Sequence, residues 1–189
     1  PVPASPISVY LQHYPPRSAE TMGFKIFEDE CNQAEVAEVK RVAIVGAGVA
    51  GLQAAKMLTE CGMECSIFEK AQHVGGVWRE NYADFGLQVP RELYEFPAFP
   101  YPKDQATALF PRGPEVQKYI QRYAEAHDLL RLIRFGTSVR SLSPLREACG
   151  WQVEFESEGS DATEEFDYCV MSTGMYSSVP HLPLARGSE

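Results

Sequence analysis

The chain has 189 residues, of which 44% are hydrophobic and 23% are charged, a composition typical of a globular protein. This length allows one substantial domain, with or without an appendage. The formal net charge is −9 and Lys and Arg form no cluster, which argues against a nucleic-acid partner. No uncharged stretch reaches the roughly 18 apolar residues of a membrane span, so we expect no transmembrane segment.

The cysteines and histidines show no metal-ligand or redox spacing. The five cysteines are scattered: Cys31, Cys61, Cys65, Cys149 and Cys169. This odd, unpaired set predicts reduced thiols, expected mostly as small buried hydrophobes, in a reducing intracellular compartment, either cytoplasm or organelle. The four histidines form no cluster with acids or cysteines, so we expect no metal site.

Residues 1–40 differ in composition from the remainder. Five prolines disfavour regular structure, and acidic residues follow them. This segment is interpreted as an extension that covers the domain or contacts a partner, with a flexible terminus as the alternative. The chain starts at Pro1 rather than Met, which indicates a processed or partial chain.

A β-α-β unit is predicted from residue 41 onward. The β-branched run RVAIV at 41–45 suits a buried parallel strand. Residues 49–60 predict a helix, which Gly62 is placed to end, and residues 64–70 predict the second strand. The roughly thirty-residue length is that of a parallel crossover unit.

The rest of the chain predicts loops, one helix and three strand segments. The loops at 73–90 and 94–105 are rich in Gly, Pro and aromatic residues, a composition expected to cover a ligand. A helix is predicted over 113–130, and strands within 132–144, 150–159 and 164–174, where YCVM reads as a buried run. The predicted fold class is therefore α/β, with a Rossmann-like parallel sheet, flanking helices and an antiparallel β-meander.

Three glycines stand where the first strand meets the helix, in the pattern GAGVAG. Gly46 permits a tight turn, Gly48 leaves room for a pyrophosphate at the main chain, and Gly51 lets the helix pack closely. Glu69 ends the second strand about twenty residues on, where a carboxylate holds ribose hydroxyls. Because an acid there disfavours a 2′-phosphate, the pattern predicts FAD or NAD rather than NADP at this site.

Two further motifs resemble those of the flavin-containing monooxygenases. FEKAQHVGGVWRE contains a second glycine pair, Gly75 and Gly76, and then Trp78. Further on, STGMYSSVPHLP contains Ser172, Thr173, Gly174, Tyr176 and Pro180. The resemblance covers about residues 40–183 and implies an FAD-binding domain over 41–189.

The resemblance also implies roles for individual residues. Gly46, Gly48 and Gly51 would contact the FAD pyrophosphate, Glu69 the ribose, and Lys70 and Val139 the adenosine. Gly76, Val77 and Trp78 would lie along the flavin, with a plain core position as the alternative for Trp78, while Thr173 and Gly174 would close over the cofactor. Gln88 stands where family members often carry an Asn beside the flavin ring. No catalytic residue is assigned.

By this resemblance the chain is the FAD-binding portion of an NADPH-using monooxygenase that oxygenates a soft nucleophile (N or S) or a ketone. The family's NADPH domain would have to come from a missing C-terminal half or from another subunit. Disulfide reductases are set aside because residues 71–95 contain no cysteine. Two alternatives stay open: a non-catalytic accessory subunit docked in a larger assembly, and a flavin-binding electron carrier fed by a partner reductase.

Overall fold

The computed structural model describes residues 41–79, 81–102, 108–145 and 149–175. The predicted extension at 1–40, the thiol of Cys31, and the motif residues Tyr176 and Pro180 lie outside these ranges. The two sheets and two helices below are built from the described residues.

A four-stranded parallel sheet forms the centre of the fold. Its strands are β1 (Arg41–Val45), β2 (Glu64–Glu69), β3 (Ile133–Phe135) and β7 (Tyr168–Met171), in the order β3-β2-β1-β7. In β1 every residue after Arg41 is buried, and Ile44 pairs with Ile67 of β2 and with Val170 of β7. A central strand covered on both faces needs a continuous apolar run, which RVAIV supplies.

Two helices cover one face of this sheet. Helix α1 (Val49–Glu60) connects β1 to β2, and helix α2 (Gly113–Ala126) precedes β3. Gly62 ends α1 as predicted, with φ +84° and its N–H donated to the carbonyl of Thr59 at 2.9 Å. Helix α2 stops four residues before its predicted end, because Asp128 takes a left-handed conformation (φ +53°) and the chain enters a 3-10 turn at Leu130–Leu132.

An antiparallel meander covers the other face. It consists of β4 (Thr137–Pro144), β5 (Trp151–Ser157) and β6 (Ser160–Phe166). The three predicted strand segments are thus five strands in the structure. Single residues separate the two sheets: Gly136, at φ +63°, lies between β3 and β4, and Asp167 lies between β6 and β7.

The expectation that YCVM is a buried run was wrong. In β7 the side chains of Tyr168 and Met171 are 55% and 60% exposed. Among the described strands, β7 pairs only with β1 and forms an edge of the sheet, so its outer side chains have fewer neighbours than those of β1.

Because side chains alternate between the two faces of each strand, the buried residues form two clusters, one on each face of the parallel sheet. On the helix side, Val42, Ile44 and Ile67 pack with Leu52 and Ile120. On the other side, the buried side chains of Ala43, Phe68, Val153, Phe155 and Phe166 join the sheet to the meander. The fold therefore has three layers, and the carboxyl ends of β1, β2 and β7 meet at one edge, where open α/β sheets bind ligands.

An ion pair fastens the meander to the parallel sheet. Arg134 of β3 donates two hydrogen bonds to the carboxylate of Glu164 in β6, at 2.5 and 3.0 Å. Its guanidinium also lies 5.1 Å from the centre of the Phe68 ring. The hydrogen bonds from Arg134 hold the pKa of Glu164 below its usual range.

The cysteines follow the sequence expectation only in part. Cys65 is buried, whereas Cys61 and Cys149 are exposed, contrary to the expectation of small buried hydrophobes. Both exposed residues lie just beyond or before regular elements, where the chain turns at the surface.

Neither α1 nor α2 is long and apolar enough to cross a bilayer, and the described ranges contain no other α-helix.

Candidate cofactor-binding site

A cleft of about 810 Å³ lies at the carboxyl edge of the parallel sheet. This volume is within the range of small-molecule and cofactor sites. Its walls come from the ends of β1, β2 and β7, the start of α1, the loop after β2, Tyr94, and the beginning of β4. The lining residues predicted from sequence are Gly46, Gly48, Glu69, Lys70, Gly76, Val77, Trp78, Val139, Thr173 and Gly174.

The three glycines of the first turn have different surroundings. Gly46 has φ +105°, and a Cβ there would lie 2.5 Å from the carbonyl oxygen of Ser172, so a side chain is excluded twice over. A Cβ on Gly51 would collide with the carbonyl oxygen of Gly46. Gly51 is buried and lies outside the cleft lining, so its part is to let α1 approach the turn.

Gly48 differs from both because nothing in the fold requires it to be glycine. Its φ of −78° and ψ of −174° are extended backbone that any residue adopts. A Cβ at this position would meet no atom within 4 Å. Gly48 lines the cleft, so its bare main chain faces open space in which a ligand can reach the backbone.

The amino end of α1 opens into the same space. Gly48 is its N-cap, no side chain caps it, and the first turn holds no acidic residue. The first four N–H groups of a helix have no partner within the helix, and the helix dipole makes this end positive. An anionic group such as a pyrophosphate suits this uncapped end.

Glu69 connects the glycine turn to the end of β2. Its side chain accepts hydrogen bonds from the Ala47 N–H at 2.7 Å and from the Ala71 N–H at 2.9 Å, one on each oxygen, and the residue is 7% exposed. Sequence reasoning missed both main-chain contacts. Each carboxylate oxygen retains a second lone pair with which it can accept a hydroxyl hydrogen.

The second glycine pair lies beside the first glycine turn. Gly75 (φ +116°) donates its N–H to the carbonyl of Ala47 at 3.1 Å. A Cβ on Gly76 (φ +54°) would lie 3.5 Å from the Cα of Gly48. A short 3-10 turn at Gly76–Trp78 then brings Val77 and Trp78 to the cleft.

Trp78 lies between the core and the cleft. Its ring stacks on Phe85 with centroids 5.7 Å apart, and its indole N–H donates to the hydroxyl of Tyr94 at 2.6 Å. It packs against the helix-side core and also lines the cleft. The sequence left open whether Trp78 lies along the flavin or at a core position; in the structure it is in contact with the core and also lines the cleft.

Gln88 and Gly51 are the two sequence-predicted binding residues that the structure leaves outside the cleft lining. The prediction that Gly51 contacts the pyrophosphate is therefore corrected to the packing role given above. For Gln88 the reason is its position in the loop. Its side chain is exposed and it is not among the cleft-lining residues. Conversely, several lining residues were not predicted: Val49, Ala50, Phe68, Ala71, His73, Tyr94, Thr137, Met171 and Met175. Most of them flank the glycine turn or the carboxyl ends of β2 and β7, and the rule for open sheets would have found them. In the part of the chain described, no three His, Cys, Asp or Glu side chains are grouped to hold a metal ion.

Comparison with known proteins decides the family. The model of the family described as FMO-like, flavin-binding monooxygenase-like, matches residues 39–187. The chain belongs to this family. The FMO-like family is thus the one that the sequence analysis predicted from the motifs at Gly75 to Trp78 and at Ser172 to Pro180.

Three proteins illustrate the similarity of this FMO-like chain to known ones. The probable flavin-containing monooxygenase 1 of Arabidopsis thaliana is 34% identical over an alignment of 164 positions, which covers 76% of this chain and 31% of the plant protein. The S-allyl-L-cysteine S-oxygenase structure from Allium sativum superposes with a TM-score of 0.66 at 25% identity, over 70% of this chain and 36% of that one. The structure of OTEMO in complex with FAD and NADP gives a TM-score of 0.68 at 26% identity, over 80% of this chain and 28% of that one.

The FMO-like chain thus spans about a third of the length of these relatives. The comparisons confirm the predicted family and the α/β, Rossmann-like fold. They also support FAD and NADPH as the cofactors of the family, through the family description and the neighbour that holds FAD and NADP.

Proposed function

We propose that residues 41–189 belong to the FAD-binding portion of a flavin-dependent monooxygenase that uses NADPH. One observation carries the proposal: the bare main chain of Gly48 faces a cleft of about 810 Å³ at an uncapped helix end, next to the carboxylate of Glu69. The NADPH-binding domain would come from a part of the enzyme outside this range.

The residues present fit a flavin dinucleotide. The N–H groups of the first turn of α1, beginning at Gly48, would hold the pyrophosphate, since no side chain or acid competes for them. Glu69 would accept hydrogen bonds from the ribose hydroxyls and would repel a 2′-phosphate. Thr137 to Val139 would flank the adenosine, and Val77 and Trp78 the flavin.

When bound, FAD supplies the redox chemistry, in which NADPH gives the electrons, one oxygen atom of O2 enters the substrate and the other leaves as water. The chain's own contribution is binding, orientation and exclusion of water. Trp78 and Tyr94 line one side of the cleft, and the Trp78 ring also contacts Phe85 behind it; these aromatic rings limit solvent access from that side.

The proposed substrate class is a soft nucleophile, N or S, or a ketone. The sulfur case is supported by the name of the Allium sativum neighbour, an S-oxygenase. Cys61, Cys65 and Cys169 are free thiols, which supports a reducing compartment for this protein.

A partner surface is part of the proposal. Tyr168 on β7 is 55% exposed and lies outside the cleft lining, and β7 has no neighbour on its outer side among the described strands. An aromatic side chain on such an open sheet edge favours coverage by the rest of a longer protein or by another subunit. The same exposure favours the second candidate, a non-catalytic accessory subunit docked in a larger assembly.

Flavin content tests the proposal directly. The purified chain is incubated with excess FAD, desalted, and its visible absorption compared with that of Gly48→Val. We expect stoichiometric flavin in the wild type and little in the variant. A wild-type chain that takes up no flavin contradicts the proposal and favours the accessory subunit.

Oxygenation is tested on a longer form of the protein that includes an NADPH-binding domain. With NADPH and a sulfide or tertiary amine, labelled O2 should place one labelled atom in the product. Flavin reduction by a partner reductase without any labelled product would instead indicate an electron carrier.

A further inference from the structure

Tyr94 lies in the cleft wall at a position that no sequence motif singles out. Its hydroxyl oxygen accepts the indole N–H of Trp78 at 2.6 Å, and the two rings meet edge to face with centroids 5.2 Å apart. A phenol oxygen accepts and also donates one hydrogen. Within the described ranges, this hydroxyl donates its hydrogen to no protein acceptor.

The main chain around Tyr94 is fixed from two sides. The N–H of Tyr94 donates to the carbonyl of Arg91 at 2.8 Å, which closes a 3-10 turn. Just beyond it, the hydroxyl of Tyr119 in α2 accepts the Phe96 N–H at 2.7 Å and donates to the Phe99 carbonyl at 2.5 Å. The Tyr94 side chain is therefore held in place before any ligand arrives.

The Tyr94 phenol keeps its proton at neutral pH. Burial raises the pKa of Tyr94, and the hydrogen bond from Trp78 only partly opposes this effect. A protonated phenol is a hydrogen-bond donor, whereas a phenolate could only accept.

Contacts along the cleft also show which residues lie at each of its two ends. Gly136 donates its N–H to the carbonyl of Ala71 at 3.1 Å, so the lining residues that follow Gly136 lie beside the end of β2, near Glu69. At the other side, Gly76 lies against Gly48, and the 3-10 turn beyond it leads away to Trp78. A ligand with its sugar at Glu69 and its pyrophosphate at Gly48 would extend toward Trp78 and its partner.

We propose that Tyr94 is a further binding residue of this cleft, holding Trp78 through one hydrogen bond and donating its own hydroxyl hydrogen to an acceptor atom on the flavin half of the dinucleotide. This inference rests on the proposed function. The flavin half offers carbonyl oxygens, ring nitrogens and hydroxyls as acceptors, whereas the adenosine half would lie at the opposite end of the cleft, beside Glu69.

The test compares FAD with ADP, which share the adenosine half, on the wild type and Tyr94→Phe. We expect Tyr94→Phe to raise the Kd for FAD about fivefold to tenfold, as for the loss of one hydrogen bond, and to leave the Kd for ADP unchanged. Partial unfolding would weaken both ligands alike, so the ratio of the two Kd values is insensitive to it. Tyr168→Phe, which removes an exposed hydroxyl outside the cleft, is the matched control and should leave both values unchanged.

The outcomes separate this inference from the proposed function. An unchanged ratio of Kd values in Tyr94→Phe, with FAD still bound by the wild type, overturns the role of Tyr94 and leaves the proposed function standing. Equal weakening of FAD and ADP also overturns it, since that result indicates a general structural effect. A wild-type chain that binds neither ligand refutes the proposed function and this inference with it.

Discussion

Substituting Gly48 separates ligand binding from folding more cleanly than any other change in the glycine turn. The position has ordinary extended dihedral angles and no atom within 4 Å of an added Cβ. In Gly48→Ala, the lower entropy of the unfolded chain stabilises the fold by roughly 0.4–1 kcal/mol. Alanine is a poorer N-cap than glycine by a comparable amount. We therefore expect the free energy of unfolding without ligand to change by less than about 1 kcal/mol.

The effect on the cofactor should be much larger. The added methyl group lies where a pyrophosphate would approach the N–H groups at the start of α1. Losing one or two charge-assisted hydrogen bonds costs about 3 kcal/mol, which raises the Kd for FAD about 100-fold. Gly48→Val should raise it further, because its side chain fills more of the cleft.

Gly51→Ala is the matched control in the same turn. Its Cβ would collide with the main-chain carbonyl of Gly46, and rigid overpacking of this kind costs up to about 3 kcal/mol. The better helix propensity of alanine returns about 1 kcal/mol. The net loss of about 2 kcal/mol corresponds to a fall in Tm of about 4–8 °C for a chain of this size.

Calorimetric titration with FAD and thermal melts without it measure both quantities on the three proteins. Gly48→Ala should lose affinity at an unchanged Tm, and Gly51→Ala should lose Tm. The reasoning is refuted if Gly48→Ala and Gly48→Val bind FAD as tightly as the wild type, or if Gly48→Ala melts as early as Gly51→Ala.

Three further predictions concern hydrogen bonds that hold the fold together, each measured by urea unfolding. Glu69→Gln should lose about 2 kcal/mol, because an amide offers one acceptor to the two main-chain N–H groups that the carboxylate binds. Tyr119→Phe should also lose about 2 kcal/mol and expose the loop of Phe96 to proteolysis, since both of its hydrogen bonds disappear. Arg134→Met should lose about 1 kcal/mol at pH 7. The pKa of Glu164 is lowered in the fold, so this ion-pair contribution is present above about pH 4.3 and disappears as the pH falls through the folded-state pKa.

Matched substitutions at exposed sites control for side-chain type. They are Glu158→Gln for Glu69, Tyr168→Phe for Tyr119 and Arg131→Met for Arg134, and each should stay within about 0.5 kcal/mol of the wild type. Equal stability of Glu69→Gln and the wild type would show that the carboxylate does not organise the turn. An Arg134→Met protein whose stability falls with acid as steeply as the wild type would contradict the ion-pair account.

The β-α-β unit could be predicted from sequence because its signals are local. Each of these signals indicates the conformation of only the few residues that contain it; they are the run RVAIV, the glycine pattern and Gly62. The family resemblance rests on the same kind of signal, since each of its two motifs, one around Gly75 to Trp78 and one from Ser172 to Pro180, is a short run of residues. The boundaries of β1 and α1 consequently agree with the prediction.

The division of strands between two sheets could not be read in the same way. The segment 132–144 looks like one strand, and only Gly136 marks the point where the chain leaves the parallel sheet for the meander. The burial of β7 was misjudged because an edge strand and a central strand share the same apolar composition. The contact of Tyr94 with Trp78 joins residues 16 positions apart through a loop whose path depends on Tyr119.

The single-residue joints at Gly136 and Asp167 also bear on how the chain can be engineered. A single residue joins each end of the meander to the parallel sheet, so lengthening either joint would shift Thr137 to Val139, which form one wall of the cleft. Its far hairpin, at Glu158 and Gly159, has left-handed residues at a surface turn and no cleft contact. A reporter peptide inserted there would extend from the surface turn of the meander and leave the cleft unchanged.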